Sequence, residues 1–229
     1  MGFTSEEQSG LELDLTRLFD RKPSGIFRSA YPVRDSVVGL YGQDVFTLGI
    51  EPVHFFDNGE IESLTISHVP RRGWNGFQWQ SPYGIWTVGS ELRFWPGGTL
   101  ASGRVFLDTE AHRAKGPGWE AELGRSWNQS LGDFTFETYL SGALKTVGPT
   151  EGTCTVENTV VAFSALSNGF ELYESGRVKS AVLKADFKIS RNGKTILLLK
   201  GHAIELDESG RVRCAATEDR RSHSSRREC

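Results

Sequence analysis

Apolar and polar positions recur around five glycines: Gly59, Gly98, Gly142, Gly176 and Gly210. The clearest copy runs Phe170-Glu171-Leu172-Tyr173-Glu174-Ser175-Gly176-Arg177-Val178-Lys179-Ser180. We count each glycine as position zero. Position −6 is apolar in every copy (Val53, Leu92, Phe136, Phe170, Ile204). Position −4 holds Phe55, Phe94, Thr138, Leu172 and Leu206, and position +2 holds Ile61, Leu100, Leu144, Val178 and Val212. Position +4 is small: Ser63, Ser102, Thr146, Ser180 and Cys214. Alternation with period two on both sides of a glycine predicts a β-hairpin. A type I turn closed by glycine in the left-handed region makes a three-residue loop. Glycine suits that position because positive φ carries no steric cost for it.

This register predicts −4 opposite +2 and −6 opposite +4 on a core face. On the outer face it places −5 opposite +3. Those pairs read His54–Glu62, Glu137–Lys145, Glu171–Lys179 and Glu205–Arg213; Arg93–Ala101 breaks the charge pattern. Position −3 adds an outer aromatic row of Phe56, Trp95, Tyr139 and Tyr173.

Further glycines (Gly49, Gly89, Gly132, Gly169, Gly201) precede the hairpins, and Asn192-Gly193 reads as another turn. Each unit therefore predicts more than one strand. The expected fold is all-β: an antiparallel meander of repeated hairpins in a twisted sheet or partly closed barrel. Stacked copies bury a core that one hairpin cannot. Upstream, Leu11, Leu13, Leu15 and Leu18 mix periods of two and three, which predicts a short N-terminal helix ended by Pro23-Ser24-Gly25. The domain reading is a helix and lead-in strands over 1–44, the repeat domain over 45–217, and a flexible basic tail over 218–229.

Phe56-Asp57-Asn58-Gly59-Glu60-Ile61-Glu62-Ser63 and the segment Tyr173–Ser180 resemble the F/Y-x-N-G-x-L-x-S units of MORN-like β-hairpin repeats. The resemblance spans roughly residues 45–217. The units here are longer and carry less glycine than the strict pattern. What the resemblance implies is a hairpin array used as a scaffold or as a binding surface.

Composition narrows the partners. With 229 residues, 38% hydrophobic and 24% charged, the chain has material for a sizeable core. A net charge of −3 argues against binding along a nucleic-acid backbone. No apolar run approaches the roughly 18–20 residues of a membrane span. The N-terminus lacks the basic and apolar regions of a signal peptide, so a cytoplasmic location is expected. The three cysteines, Cys154, Cys214 and Cys229, are odd in number and form no C-x-x-C; neither a disulfide framework nor a zinc site is expected. The histidines His54, His68, His112, His202 and His223 lack metal-ligand spacing. No cofactor motif is present, so no cofactor is expected.

The candidate chemistry lies where the repeat spacing is stretched. The glycines are 39, 44, 34 and 34 residues apart, and all six tryptophans fall within the long intervals. Insertions on repeat scaffolds are common seats of function. Arg71, Arg72, Trp74, Trp79, Tyr83, Trp86, Trp95, Trp119 and Trp127 therefore predict an aromatic pocket for a small, partly apolar ligand, the arginines meeting an anionic group. The competing reading has these tryptophans covering the core. A second functional reading is a cofactor-independent isomerase or cyclase, with His68, His112, Asp108 and Glu110 moving a proton. A third is a protein-interaction scaffold using the aromatic row.

Overall fold

The computed structural model describes residues 13–21, 27–48, 50–66, 76–105, 112–124, 133–165, 170–191, 193–218 and 225–228. Among these there is no helix. The strands are antiparallel, and the sheets are not closed into a barrel. No helix of the described residues is long and apolar enough to cross a membrane. The chain forms two compact units, Met1–Phe106 with Leu140–Gly142, and Leu107–Tyr139 with Ala143–Cys229.

The first unit contains β1 (Leu13–Arg21), β2 (Phe27–Pro32), β3 (Ser36–Leu40), β4 (Gln43–Thr47), β5 (Val53–Phe55), β6 (Ile61–Thr65), β7 (Phe77–Ser81), β8 (Gly84–Val88), β9 (Glu91–Phe94) and β10 (Leu100–Val105). The pairing runs β1–β2–β5–β6–β9–β10–β8–β7. The expected N-terminal helix is thus corrected. Leu13–Arg21 is a strand, and its backbone groups are satisfied by β2 rather than within the segment. Hairpin β3–β4 forms a two-stranded sheet of its own, joined to this one by a bridge between Thr47 and Ile66. Its Tyr41 ring lies 4.9 Å from that of Phe94, and Phe77 of β7 meets Phe94 edge-on at 6.0 Å. Gln43 caps β7: its side-chain amide accepts from the Gln78 N–H (2.7 Å) and donates to the Gln78 carbonyl (2.8 Å).

The second unit contains β11 (His112–Gly116), β12 (Trp119–Leu123), β13 (Phe134–Thr138), β14 (Leu144–Gly148), β15 (Thr150–Val156), β16 (Thr159–Ala165), β17 (Phe170–Leu172), β18 (Val178–Val182), β19 (Phe187–Arg191), β20 (Lys194–Leu198), β21 (Ala203–Leu206), β22 (Val212–Glu218) and β23 (Ser225–Glu228). One sheet is ordered β13–β14–β17–β18–β21–β22, with β20 and β23 also pairing β22 and β19 pairing β20. Part of the stretch expected to be a free tail, Ser225–Glu228, is therefore in a ladder. A second sheet, β11–β12–β15–β16, packs on the first through rings: Phe163 stacks on Phe170 at 4.4 Å, and Trp119 meets Phe170 edge-on at 5.1 Å.

Both units follow one rule. Hairpins carrying the marked glycines pair with each other, and the hairpin between each two leaves their line. Thus β6 pairs β9, and the intervening β7–β8 returns to β10 through Val88 and Val105. Likewise β18 pairs β21, and β19–β20 returns to β22 through Leu198 and Thr217.

The turns follow the expected chemistry. The −3 N–H donates to the +1 carbonyl, as in Tyr173 to Arg177 (2.8 Å), and the glycine N–H donates to the −3 carbonyl, as in Gly176 to Tyr173 (2.8 Å). The described glycines at position zero have φ from 78° to 86°. Positions −6, −4 and +2 are buried throughout. The register beyond them is corrected. In all five copies −4 faces +2, but −5 faces +4, so +3 is an extra, bulged residue. In three copies the apolar residue at +5 supplies the reason. Leu64, Val147 and Ala181 are buried, and Phe136 faces Val147 directly. Without the bulge these side chains would point to solvent. The small +4 residue consequently joins −5 on the outer face.

The aromatic row also acts structurally. The Tyr139 hydroxyl donates to the Leu172 carbonyl (2.8 Å), and the Tyr173 hydroxyl donates to the Leu206 carbonyl (2.7 Å). Each ties one copy to the next. Tyr139→Phe or Tyr173→Phe is expected to cost about 1 kcal/mol, read as a lower denaturant midpoint with unchanged slope.

Cys154 is a buried free thiol on β15, and burial pushes its pKa up to about 12. It is expected to resist alkylation in the native protein and to react once the chain is unfolded. Cys214 is buried and disulfide-bonded, although the odd cysteine count led to no expected disulfide framework.

Candidate functional site

The sequence-predicted residues divide. His68, Arg71, Arg72, Trp74, Asp108, Glu110 and Trp127 lie outside the described residues. Trp79 and Trp86 are cross-strand partners whose rings meet edge-on at 5.3 Å, and Trp86 is fully buried. Tyr83 occupies the β7–β8 turn, where its N–H donates to Ser81 Oγ (3.1 Å), and burial raises its pKa. Trp95 begins its hairpin turn and remains partly exposed. In the second unit Trp119 is buried, and its indole N–H donates to the Gly176 carbonyl (2.8 Å). His112 is half-buried, edge-on to Phe134 at 5.9 Å.

Burial holds the His112 pKa below its ordinary 6.5. The unfolded chain therefore takes up this proton first. Its contribution to stability is intact above about pH 6.5 and is lost as pH falls towards the folded value. The melting temperature of the native protein is expected to drop more than that of His112→Gln between about pH 7.5 and pH 5.5.

The +3 bulge creates a different grouping on the outer face of the first unit. Directly opposed residues share a face, so the ladder forms one row: Ser29, His54, Ser63, Arg93 and Ser102. Hydroxyl and nitrogenous side chains alternate along it. The same positions in the second unit read Glu137, Thr146, Glu171, Ser180, Glu205 and Cys214. Carboxylates thus stand where the first unit has His54 and Arg93.

A groove of about 410 Å³ opens over this row in the first unit, lined chiefly by His54, Ser63 and Arg93 with Glu51, Glu62 and Glu91. Glu91 holds Arg93 in place, its Oε1 accepting from Nε (2.9 Å) and Nη2 (2.7 Å). Ser63, opposite both His54 and Arg93, is buried. The expected His54–Glu62 pair is not made. His54 faces Ser63, and no ion pair joins it to Glu62 among the described residues. At the same positions elsewhere the pair closes: Lys145–Glu137 at 3.5 Å and Lys179–Glu171 at 3.2 Å. The hydrogen bond and charge of Glu171 raise the Lys179 pKa.

A second groove, of about 460 Å³, lies in the second unit over Glu122, Glu151 and Gly152. Its charges are already matched, Arg113 to Glu122 (3.5 Å) and Lys184 to Glu151 (3.0 Å). Among the described residues no group of three or more His, Cys, Asp or Glu could hold a metal ion.

Sequence reasoning passed over Ser63, Glu91 and Arg93. The available signal was the exception at position −5, where His54 and Arg93 replace the glutamates of the later copies. The fold and grooves define a β-hairpin-repeat protein in which the first unit's groove holds the open His54–Glu62 pair. No family model matches the chain, and no curated protein matches it.

Proposed function

We propose that this is a MORN-like binding protein that holds a small polar molecule in the groove over β5, β6 and β9. The observation that carries this reading is the open pair at His54 and Glu62 inside a concavity of ligand size. Ionisable side chains that are matched in later copies are left here to meet something else. Ser63 and the Glu91-anchored Arg93 add a hydroxyl and a fixed guanidinium between them. The described tryptophans of the long intervals are occupied by packing or turn contacts, so the proposal seats the ligand on the polar groove rather than on an aromatic wall.

The test is a metabolite panel read by thermal shift and by the NMR signals of the His54 ring and the Arg93 side chain. A bound compound is expected to move both signals. Arg93→Ala should weaken it by about 10–100-fold, the range for a hydrogen bond to a charged group. Binding that ignores Arg93→Ala, His54→Ala and Glu62→Ala, or no binding at all, would overturn the proposal.

A further inference from the structure

We infer that the ligand of this groove is a small zwitterion, its carboxylate directed to Arg93 and His54 and its ammonium to Glu62. This deepens the proposed binding function and rests on it. The groove carries both signs of charge with a defined order across the strands. Arg93 on β9 uses Nε and Nη2 on Glu91, which leaves guanidinium donors for a second acceptor. A carboxylate is the planar acceptor that such a fork prefers. Glu62, bulged out of register at position +3, is exposed and makes no ion pair among the described residues.

Ligands of a single charge fit poorly. A simple anion on Arg93 would also face Glu51 and Glu62, which have no cation of their own in the lining. A simple cation would face Arg93. A molecule bearing both groups meets a partner at each end, and its desolvation is offset at each. The groove volume of about 410 Å³ suits an amino acid or a short peptide. Apart from Leu64, whose side chain is buried, and Pro52, the lining is polar. Recognition therefore falls on the charged termini more than on an apolar side chain.

The test compares three forms of one set of probes: free amino acids and glycyl dipeptides, their N-acetyl derivatives, and their C-terminal amides. Simple polyols and dicarboxylates complete the panel. Affinity is measured by calorimetry, and site occupancy by the His54 and Arg93 NMR signals. Free zwitterions are expected to bind at least about tenfold more tightly than either capped form. Glu62→Gln should abolish the preference over the acetylated form, and Arg93→Gln the preference over the amide. Both positions are exposed, and circular dichroism of each variant verifies the fold. If polyols, dicarboxylates or capped probes move the same signals with equal or higher affinity, the zwitterion inference fails and the groove stands. If no compound moves them, both fail.

Discussion

Trp119→Ala is expected to lower stability by about 3–5 kcal/mol, the range for removing a buried tryptophan. Trp119 is almost fully buried, packs edge-on against Phe170, and donates its indole N–H to the Gly176 turn. It thereby joins the sheet β11–β12–β15–β16 to the hairpin β17–β18. Gly116, its cross-strand partner, has no side chain, and a Cβ there would run into the indole. The glycine thus leaves the ring room to lie across the strand. Trp119→Phe separates the two contributions. It keeps an aromatic ring against Phe170 but leaves the Gly176 carbonyl without its donor, for an expected cost of about 1–3 kcal/mol. Both are read from denaturant midpoints by far-UV circular dichroism. A Trp119→Ala protein of unchanged stability would mean that the ring does not hold the two sheets of this unit together.

Gly98→Ala is the second large effect, and Gly97→Ala is its control within the same turn. Both glycines have positive φ, 86° at Gly98 and 87° at Gly97. A Cβ on Gly97 would meet nothing within 4 Å, so its substitution reports backbone strain alone, about 1–2 kcal/mol. A Cβ on Gly98 would strike the Tyr41 ring, which is itself packed on Phe94. Gly98→Ala must therefore shift the Tyr41 ring off the turn. Its cost is expected to exceed that of Gly97→Ala by about 1–3 kcal/mol, the range for overpacking. Equal costs for the two substitutions would mean that the Tyr41 ring yields freely.

The hairpins were legible because their causes are local. Positive φ at Gly59 or Gly210 is set within a few residues, and period-two alternation assigns −6, −4 and +2 to the core. The same local logic misassigned Leu13–Arg21. Its leucine spacing fits a helix or a strand, and pairing with β2 decides between them. Position +4 failed for a related reason. Ser63 and Thr146 look like small core residues when only the turn is considered. Their true place depends on Leu64 and Val147, which must reach the core one residue later. The signal was present at +5, but reading it requires admitting an unpaired residue into the ladder.

The candidate site was less legible than the fold. His54 and Glu62 stood out only as an outer-face pair, and Arg93 only as an exception to the charge pattern. Ser29, His54, Ser63 and Arg93 come together because β2, β5, β6 and β9 are neighbours in the sheet, although the turns of β7–β8 intervene in sequence between Ser63 and Arg93.

By itself the sequence determined an all-β chain, five glycine-closed hairpins, and the inward direction of three positions in each. These rest on turn sterics and on side-chain alternation, which act over a few residues. The tertiary structure alone decided that intervening hairpins leave the line of the others, that a bulge falls at +3, and that His54 and Glu62 stay apart in a groove. Those outcomes depend on which distant strand supplies the next hydrogen-bonding edge and on which apolar side chains must be buried together. That competition is settled only when the whole sheet is assembled.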